Sequence, residues 1–288
     1  MKISEVLKRG RGVFSFEIFP PKVDADFATV LNCANALSRY SPDFISVTYG
    51  AGGGTSKNTA KIAEFIQNQC HTPSLAHLTC VSSTKDEISV VLDELESLGI
   101  ENILALRGDI PENQPDFPNP KHYAHATDLM REIAQRGNFC IGGACYPEVH
   151  PDAISEKDDI DNLKRKQDAG CEFLISQLFF NNDSFYAFLE KTQKAGITIP
   201  IIPGIMPVLN AGQINRMCKL SGAKLTPKFE RMLAKYQNDP HAMRQAGIAY
   251  ATEQITDLFS YNVPGIHLYT MNKPEIAVAI KNNIQFLY

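Results

Sequence analysis

Residues 13–21 read VFSFEIFPP, an apolar, aromatic run that breaks at two prolines and carries one carboxylate, Glu17. A strand this hydrophobic is expected to be buried on both faces, as strands of parallel sheets are. Desolvation there disfavours a charged carboxylate and raises its pKa, which is how a carboxyl stays protonated near neutrality and serves as a general acid. The alternative is a buried Glu paired with Lys or Arg for structure alone. Its place near the end of the strand favours chemistry.

Outward from this first strand (13–19), further β-rich runs lie at 43–49, 74–81, 102–107, 139–146, 172–180, 199–205 and 265–270. Amphipathic stretches alternate with them near 25–40, 57–70, 85–98, 125–136, 157–169, 183–195, 211–260 and 274–286. Ser155 with Asp158 reads as a capping box, Gly99, Gly137, Gly170 and Gly196 as helix stops, and Thr226-Pro227 as an N-cap followed by Pro at the first helical position. Strand and helix alternating eight times predict an α/β fold, the closed parallel (β/α)8 TIM barrel. The stretch 211–260 exceeds one helix and is expected to add a helix or two between strands seven and eight. A doubly wound open sheet competes, but it calls for a Gly-rich phosphate turn where this chain has Pro20-Pro21. No linker-like composition divides residues 1–288, so a single catalytic domain is expected.

Composition narrows the function. With 44% hydrophobic and 21% charged residues the chain is ordinary globular protein, long enough to bury a large core. A net charge of -4 argues against nucleic acid or an anionic membrane as partner. The N-terminal stretch lacks the apolar core of a signal peptide, and no run approaches the roughly 18 apolar residues of a membrane span. Seven dispersed cysteines without a CxxC pair fit free thiols in a reducing, cytoplasmic setting. There is no HExxH, and His122 and His125 sit in a loop-like stretch, so no metal site is expected. Neither GxGxxG nor Walker A occurs, so a dinucleotide would not be held by a Rossmann domain.

Unusual polar residues gather at the predicted strand ends: Glu17; Thr48 and Tyr49; His77 and Thr79; Arg107, Gly108 and Asp109; Tyr146, Glu148 and His150; Gln177; Tyr269, Thr270 and Asn272. In a parallel barrel those ends converge on the mouth where active sites lie, which predicts an enzyme. The stretch 49–55 (YGAGGGT) offers backbone amides at a helix start to an anionic or nucleotide group, or is simply a loop needing positive φ. Asp159, Asn162, Arg165 and Lys166 share a helical arc of about 120°, suited to a ribose and a diphosphate, or to a solvated face with i, i+4 pairs. Asp109 is expected to be half-neutralised by Arg107, or to close the mouth by a salt bridge with it. Two other classes compete: a metal-dependent barrel hydrolase or aldolase ligated by His77, Asp109, Glu148 and His150, and a non-catalytic scaffold subunit.

The segments FSFEIFPPK (14–22), SVTYGAGG (46–53), AHLTCV (76–81), LALRGD (104–109), YPEVHP (146–151), NLKRKQDAG (162–170), QLFF (177–180), IIPGIMPV (201–208) and HLYTMN (267–272) span nearly the whole chain. Together they closely resemble the methylenetetrahydrofolate reductases of the short bacterial type. The resemblance implies a flavoprotein with a (β/α)8 barrel, in agreement with the strand count. It implies reduction of 5,10-methylenetetrahydrofolate to 5-methyltetrahydrofolate with NAD(P)H and tightly held FAD, supplying the methyl group for methionine synthesis. By that resemblance Glu17 is the general acid that protonates N10 and opens the imidazolidine ring, and hydride from flavin N5 then reaches the exocyclic carbon. Asp109 is implied beside the flavin pyrimidine edge and the pterin, Gln177 at pterin and nicotinamide in turn, and Thr48 at the nicotinamide donor. FAD contacts map onto Tyr49, Ala51, His77, Arg107, Gly108, Asp109, Ala124, Tyr146, His150, Ala153, Asp159, Asn162, Arg165 and Lys166. Gln213 and Lys273 correspond to folate-side contacts. Some relatives carry Arg at the position of Lys273, and Lys does not grip a carboxylate bidentately. Some carry Phe where this chain has Met217, which packs adaptably but stacks less well. The family further implies a homo-oligomer. The regulatory domain of the eukaryotic enzymes, and with it S-adenosylmethionine control, is expected to be absent.

Overall fold

The computed structural model describes residues 1–21, 23–49, 56–109 and 122–288. Among these residues nine short strands form one all-parallel sheet: β1 (Val13–Ile18), β2 (Phe44–Val47), β3 (Ser74–Thr79), β4 (Asn102–Leu106), β5 (Cys140–Cys145), β6 (Phe173–Ser176), β7 (Ile201–Ile202), β8 (Gly204–Ile205) and β9 (Gly265–Tyr269). β7 and β8 are the two halves of one barrel strand, interrupted at Pro203. The first half pairs with β6 and the second with β9. Proline has no N–H to give a ladder, yet its carbonyl still accepts the amide of His267 at 3.0 Å. The ring therefore closes as an eight-stranded barrel, with β1 hydrogen-bonded to both β2 and β9.

Helices follow the strands as expected: α2 (Phe27–Ser38), α3 (Ser56–Asn68), α4 (Lys85–Ser97), α5 (Ala126–Arg136), α6 (Glu156–Asp168), α7 (Asn182–Lys194) and α11 (Pro274–Ile284). Between β8 and β9 lie three, α8 (Ala211–Ser221), α9 (Pro227–Tyr236) and α10 (Pro240–Ser260), so the long stretch holds two more than one crossover needs. Thr226 caps α9 with Pro at its start, as read. The Ser155 cap is half of a box: Ser155 Oγ accepts from the Asp158 amide at 3.1 Å. The Asp158 carboxylate turns along the helix to Asn162 and Arg165 instead. A complete box sits at α4, where Thr84 and Glu87 bond reciprocally. Among the described residues no helix is long and apolar enough to cross a membrane.

Alternation along each strand sorts the core into two. Phe14, Phe16 and Ile18 pack outward against the helices, while Val13 joins Phe44, Leu75, Leu104, Cys140, Phe173 and Ile202 inside the barrel. A short N-terminal turn, α1 (Ile3–Val6), plugs the floor of this interior with Ile3 and Val6. Asn102 holds the plug, accepting from the Ile3 amide at 2.8 Å and donating to the Met1 and Ser74 carbonyls at 3.1 Å. Nothing in the sequence reading anticipated it. Gly142 admits the Phe173 ring: a Cβ there would lie 2.5 Å from Phe173 Cζ.

Candidate active site

Above this apolar floor, the strand ends open into a cavity of about 1410 Å³, larger than the roughly 300–1,000 Å³ of an ordinary ligand pocket. Glu17, Thr48, Tyr49, His77, Arg107, Gly108, Asp109, Tyr146, His150, Ala153, Asp159, Asn162, Arg165, Lys166 and Gln177 all line it. Residues picked from seven separate segments are thus gathered around one space. Gly108 turns the chain at the rim with φ 89°, in the left-handed region that favours glycine.

Glu17 sits at the bottom, 6% exposed. Its Oε2 lies 3.3 Å from Ser46 Oγ, 3.3 Å from His267 Nε2 and 3.4 Å from His77 Nε2. The expectation that burial alone keeps this carboxyl protonated is corrected by its neighbours. Burial pushes its pKa up, but the hydrogen bond from His267 and the charges of His77 and His267 pull it down further, leaving it below the ordinary carboxylate value. His77 is itself pushed down to about 4 by burial, so its ring is neutral near pH 7. Its buried Nε2 makes no hydrogen bond among the described residues.

The backbone around Glu17 is clamped by the loop after β9. Thr270 Oγ1 donates to the Glu17 carbonyl at 2.6 Å. Asn272, at φ 54°, accepts from the Phe19 amide at 2.8 Å and donates to the Phe19 carbonyl at 2.9 Å. Thr270 and Asn272 therefore serve the backbone rather than the cavity. Tyr269 lines the cavity and donates its hydroxyl to the Ser176 carbonyl at 2.7 Å.

One wall comes from α6 and the 146–153 loop. Asp159, 8% exposed, accepts from the His150 amide at 3.0 Å. Burial pushes the Asp159 carboxyl up and the Lys166 amine down. Lys166 Nζ donates to the Ala144 carbonyl at 2.6 Å, using one of three donors. Asn162 Oδ1 accepts from Arg165 Nε at 3.2 Å. His150 Nδ1 accepts from the Asp152 amide at 3.0 Å, which leaves Nε2 to carry the proton of the neutral ring. Val149 between them stands at φ 71°, a strained position for a β-branched residue. The twist sends its two neighbours apart: His150 faces the cavity, whereas Glu148 accepts from the Lys224 amide at 2.8 Å.

Several expectations are displaced. Arg107 pairs with Asp152 at 2.8 Å, not with Asp109, which stands exposed at the rim. Glu148 is spent on Lys224 and Ser184. Among the described residues no three His, Cys, Asp or Glu side chains come together as a metal site, so His77, Asp109, Glu148 and His150 do not form the ligand set of a metal-dependent hydrolase. Ala124 is exposed, its amide donating to Asp128, while its neighbours His125 and Ala126 line the cavity. Lys273 is the exposed N-cap of α11 and Met217 lies half-buried on α8, neither on the cavity lining. Ala51 with most of the 49–55 loop, and the side chain of Gln213, lie outside the described residues. The reading missed Ser15, Ser46 and His267. Alternation was the available signal: Ser15 shares a face with Glu17, and His267 with Tyr269.

A family model described as methylenetetrahydrofolate reductase matches residues 2–285. The chain is 35% identical over 295 residues to methylenetetrahydrofolate reductase (NADH) 1 of Arabidopsis thaliana, covering 98% of this chain and 50% of that one. It is 36% identical over 266 residues to 5,10-methylenetetrahydrofolate reductase of Escherichia coli K12, covering 92% and 88%. It thus spans about half the length of the plant relatives. A solved structure of an uncharacterized protein from Clostridium thermocellum, described as binding two copies of 5-methyl-5,6,7,8-tetrahydrofolic acid, superposes with a TM-score of 0.66 at 17% identity. It covers 99% of this chain and 98% of that one, a likeness of fold.

Proposed function

The chain belongs to the methylenetetrahydrofolate reductase family, and from that premise we propose that its cavity reduces 5,10-methylenetetrahydrofolate to 5-methyltetrahydrofolate with FAD and NAD(P)H. The observation that carries the reading is a carboxyl buried at the floor of a cavity large enough for a flavin with a second ring system over it. Two further features support FAD. His77 Nε2 is buried and makes no hydrogen bond among the described residues, so a polar ligand edge would satisfy it. The α6 wall sets Arg165 and Lys166 beside Asp159 and Asn162, donors for a diphosphate and acceptors for a ribose. FAD bound there supplies two-electron transfer between nicotinamide and folate.

The protein's own groups then have separate tasks. Arg165 and Lys166 hold the diphosphate. Gln177 commits its Oε1 to the Leu178 amide at 2.9 Å and presents its NH₂ to a pterin or nicotinamide carbonyl. Asp109 at the rim and Thr48 on the wall face the same space. Glu17 gives a proton to N10; the C–N10 bond breaks with its electron pair on nitrogen, leaving the electrophilic N5 iminium that takes hydride. Single-domain organisation, assembly as a homo-oligomer and a cytoplasmic setting belong to the same proposal, and the seven free cysteines accord with a reducing compartment. Anaerobic stopped-flow spectroscopy tests the reading. Glu17→Gln should abolish folate reduction while sparing flavin reduction by NADH. A wild-type protein that fails to take up FAD, or a Glu17→Gln variant that loses both half-reactions, overturns it.

A further inference from the structure

Beneath Glu17 lies a second buried ring, His267, fully enclosed and stacked on Phe44 with centroids 5.8 Å apart. Parallel pairing of β1 with β9 sets it opposite Ser15, and its Nδ1 lies 2.8 Å from Ser15 Oγ. Ser15 Oγ also lies 3.2 Å from the Ile266 carbonyl. A serine hydroxyl has one hydrogen. Given to the carbonyl, which only accepts, it leaves a lone pair that must take N–H from the ring. Both contacts are satisfied only when Nδ1 of His267 is protonated.

That fixes what happens at the other nitrogen. Nε2 stands 3.3 Å from Glu17 Oε2 and 3.3 Å from Ser46 Oγ. With Nδ1 committed, Nε2 of a neutral ring is a bare lone pair, and against a carboxylate oxygen it would be repelled. A hydrogen bond exists there if one proton lies between the two groups, on the carboxyl or on the ring. We infer that Glu17 and His267 form one proton-holding unit whose tautomer Ser15 fixes, with His267 the positioning residue that stores the proton Glu17 delivers. The inference rests on Glu17 being the acid toward folate.

The steps balance. In the free protein the proton rides on the ring and Glu17 is a carboxylate, in accord with the lowered titration of that carboxyl. A ligand that excludes water from the mouth disfavours the separated charges. The proton then passes from Nε2 to Oε2, leaving both groups neutral. Transfer to N10 breaks the C–N10 bond and leaves Glu17 ionised beside a neutral ring, and solvent water restores the proton when product leaves. The other titratable neighbours do not compete. His77, from β3, is neutral with its pKa pushed down to about 4. Tyr269, from β9, is held well above its ordinary value by burial and gives its hydrogen to the Ser176 carbonyl.

Nitrogen-15 NMR of histidine-labelled protein reads the unit without turnover. His267 should show both nitrogens protonated in the free protein, and only Nδ1 protonated when saturated with 5-methyltetrahydrofolate. A neutral ring protonated at Nε2 in either state overturns the inference. In stopped-flow, His267→Gln should slow the folate half-reaction roughly 100-fold at pH 7. Lower pH should restore much of it, because Glu17 then draws its proton from solvent; flavin reduction by NADH should change less than about twofold. Ser15→Ala, the milder variant, should release the tautomer and shift the same pH profile. An unshifted profile in both variants overturns the storage role. Failure of wild-type protein to reduce folate would overturn the reductase reading instead, and the NMR result would still decide the pair.

Discussion

Replacing Asn272 tests the idea that the loop after β9 holds the acid in place. Its carboxamide makes two hydrogen bonds to the Phe19 backbone, at 2.8 and 2.9 Å, two residues beyond Glu17. Losing them costs about 1 kcal/mol each. Alanine at φ 54° adds about 1 kcal/mol of left-handed strain, so Asn272→Ala should cost about 3 kcal/mol. For 288 residues the unfolding entropy is about 0.6 kcal/mol per kelvin, which lowers Tm by about 5 °C. Asn272→Gly loses the bonds but keeps the backbone conformation, and should fall by about 3 °C. Calorimetry separates the two contributions. A Tm for the alanine variant within about 1 °C of the parent, or a glycine variant that falls further than the alanine one, refutes the reasoning.

Gly142→Ala should cost about 1–3 kcal/mol by overpacking, because its Cβ would meet the Phe173 ring at 2.5 Å; an unchanged urea midpoint contradicts this. His77 stays neutral down to about 4 when folded, whereas an unfolded histidine protonates near 6.5. The unfolded state binds more protons between those values, so stability should fall as pH drops through them. The lowered Glu17 carboxyl pushes the same way below 4.5, and His77→Gln should flatten the upper part of the slope in urea titrations. Lys166→Met should weaken FAD binding roughly 10- to 100-fold, about 1.4–2.8 kcal/mol. Equal affinity in a fluorescence titration would remove the diphosphate from α6.

Much of this was legible because strand and helix carry different periods. The runs at 102–107 and 139–146 became β4 and β5 to within a residue or two, and glycines 99, 137, 170 and 196 all stand at positive φ beyond helix ends. The gathering of Glu17, His77, Arg107 and Gln177 around one cavity followed from the barrel rule alone. What stayed hidden depends on register. Ser15 and His267 lie 252 positions apart and meet only because β1 pairs with β9 in one alignment. The titration of Glu17 was misjudged for the same reason: its hydrophobic strand was visible, the imidazoles brought to it by other strands were not. The α1 plug and the break at Pro203 are local departures that no periodicity announces.

The β1–β9 seam has a consequence for biosynthesis. Growing chains fold from the N-terminal end as they emerge, and contacts between distant segments wait longest. Ser15 leaves the ribosome 252 residues before His267, and the Asn272 clamp follows later still. Until that last strand docks, a nascent barrel is a curled open sheet whose acid lacks its imidazole partner. Chemistry and closure arrive in the same event, so unfinished chains of this protein should be inert as well as unstable.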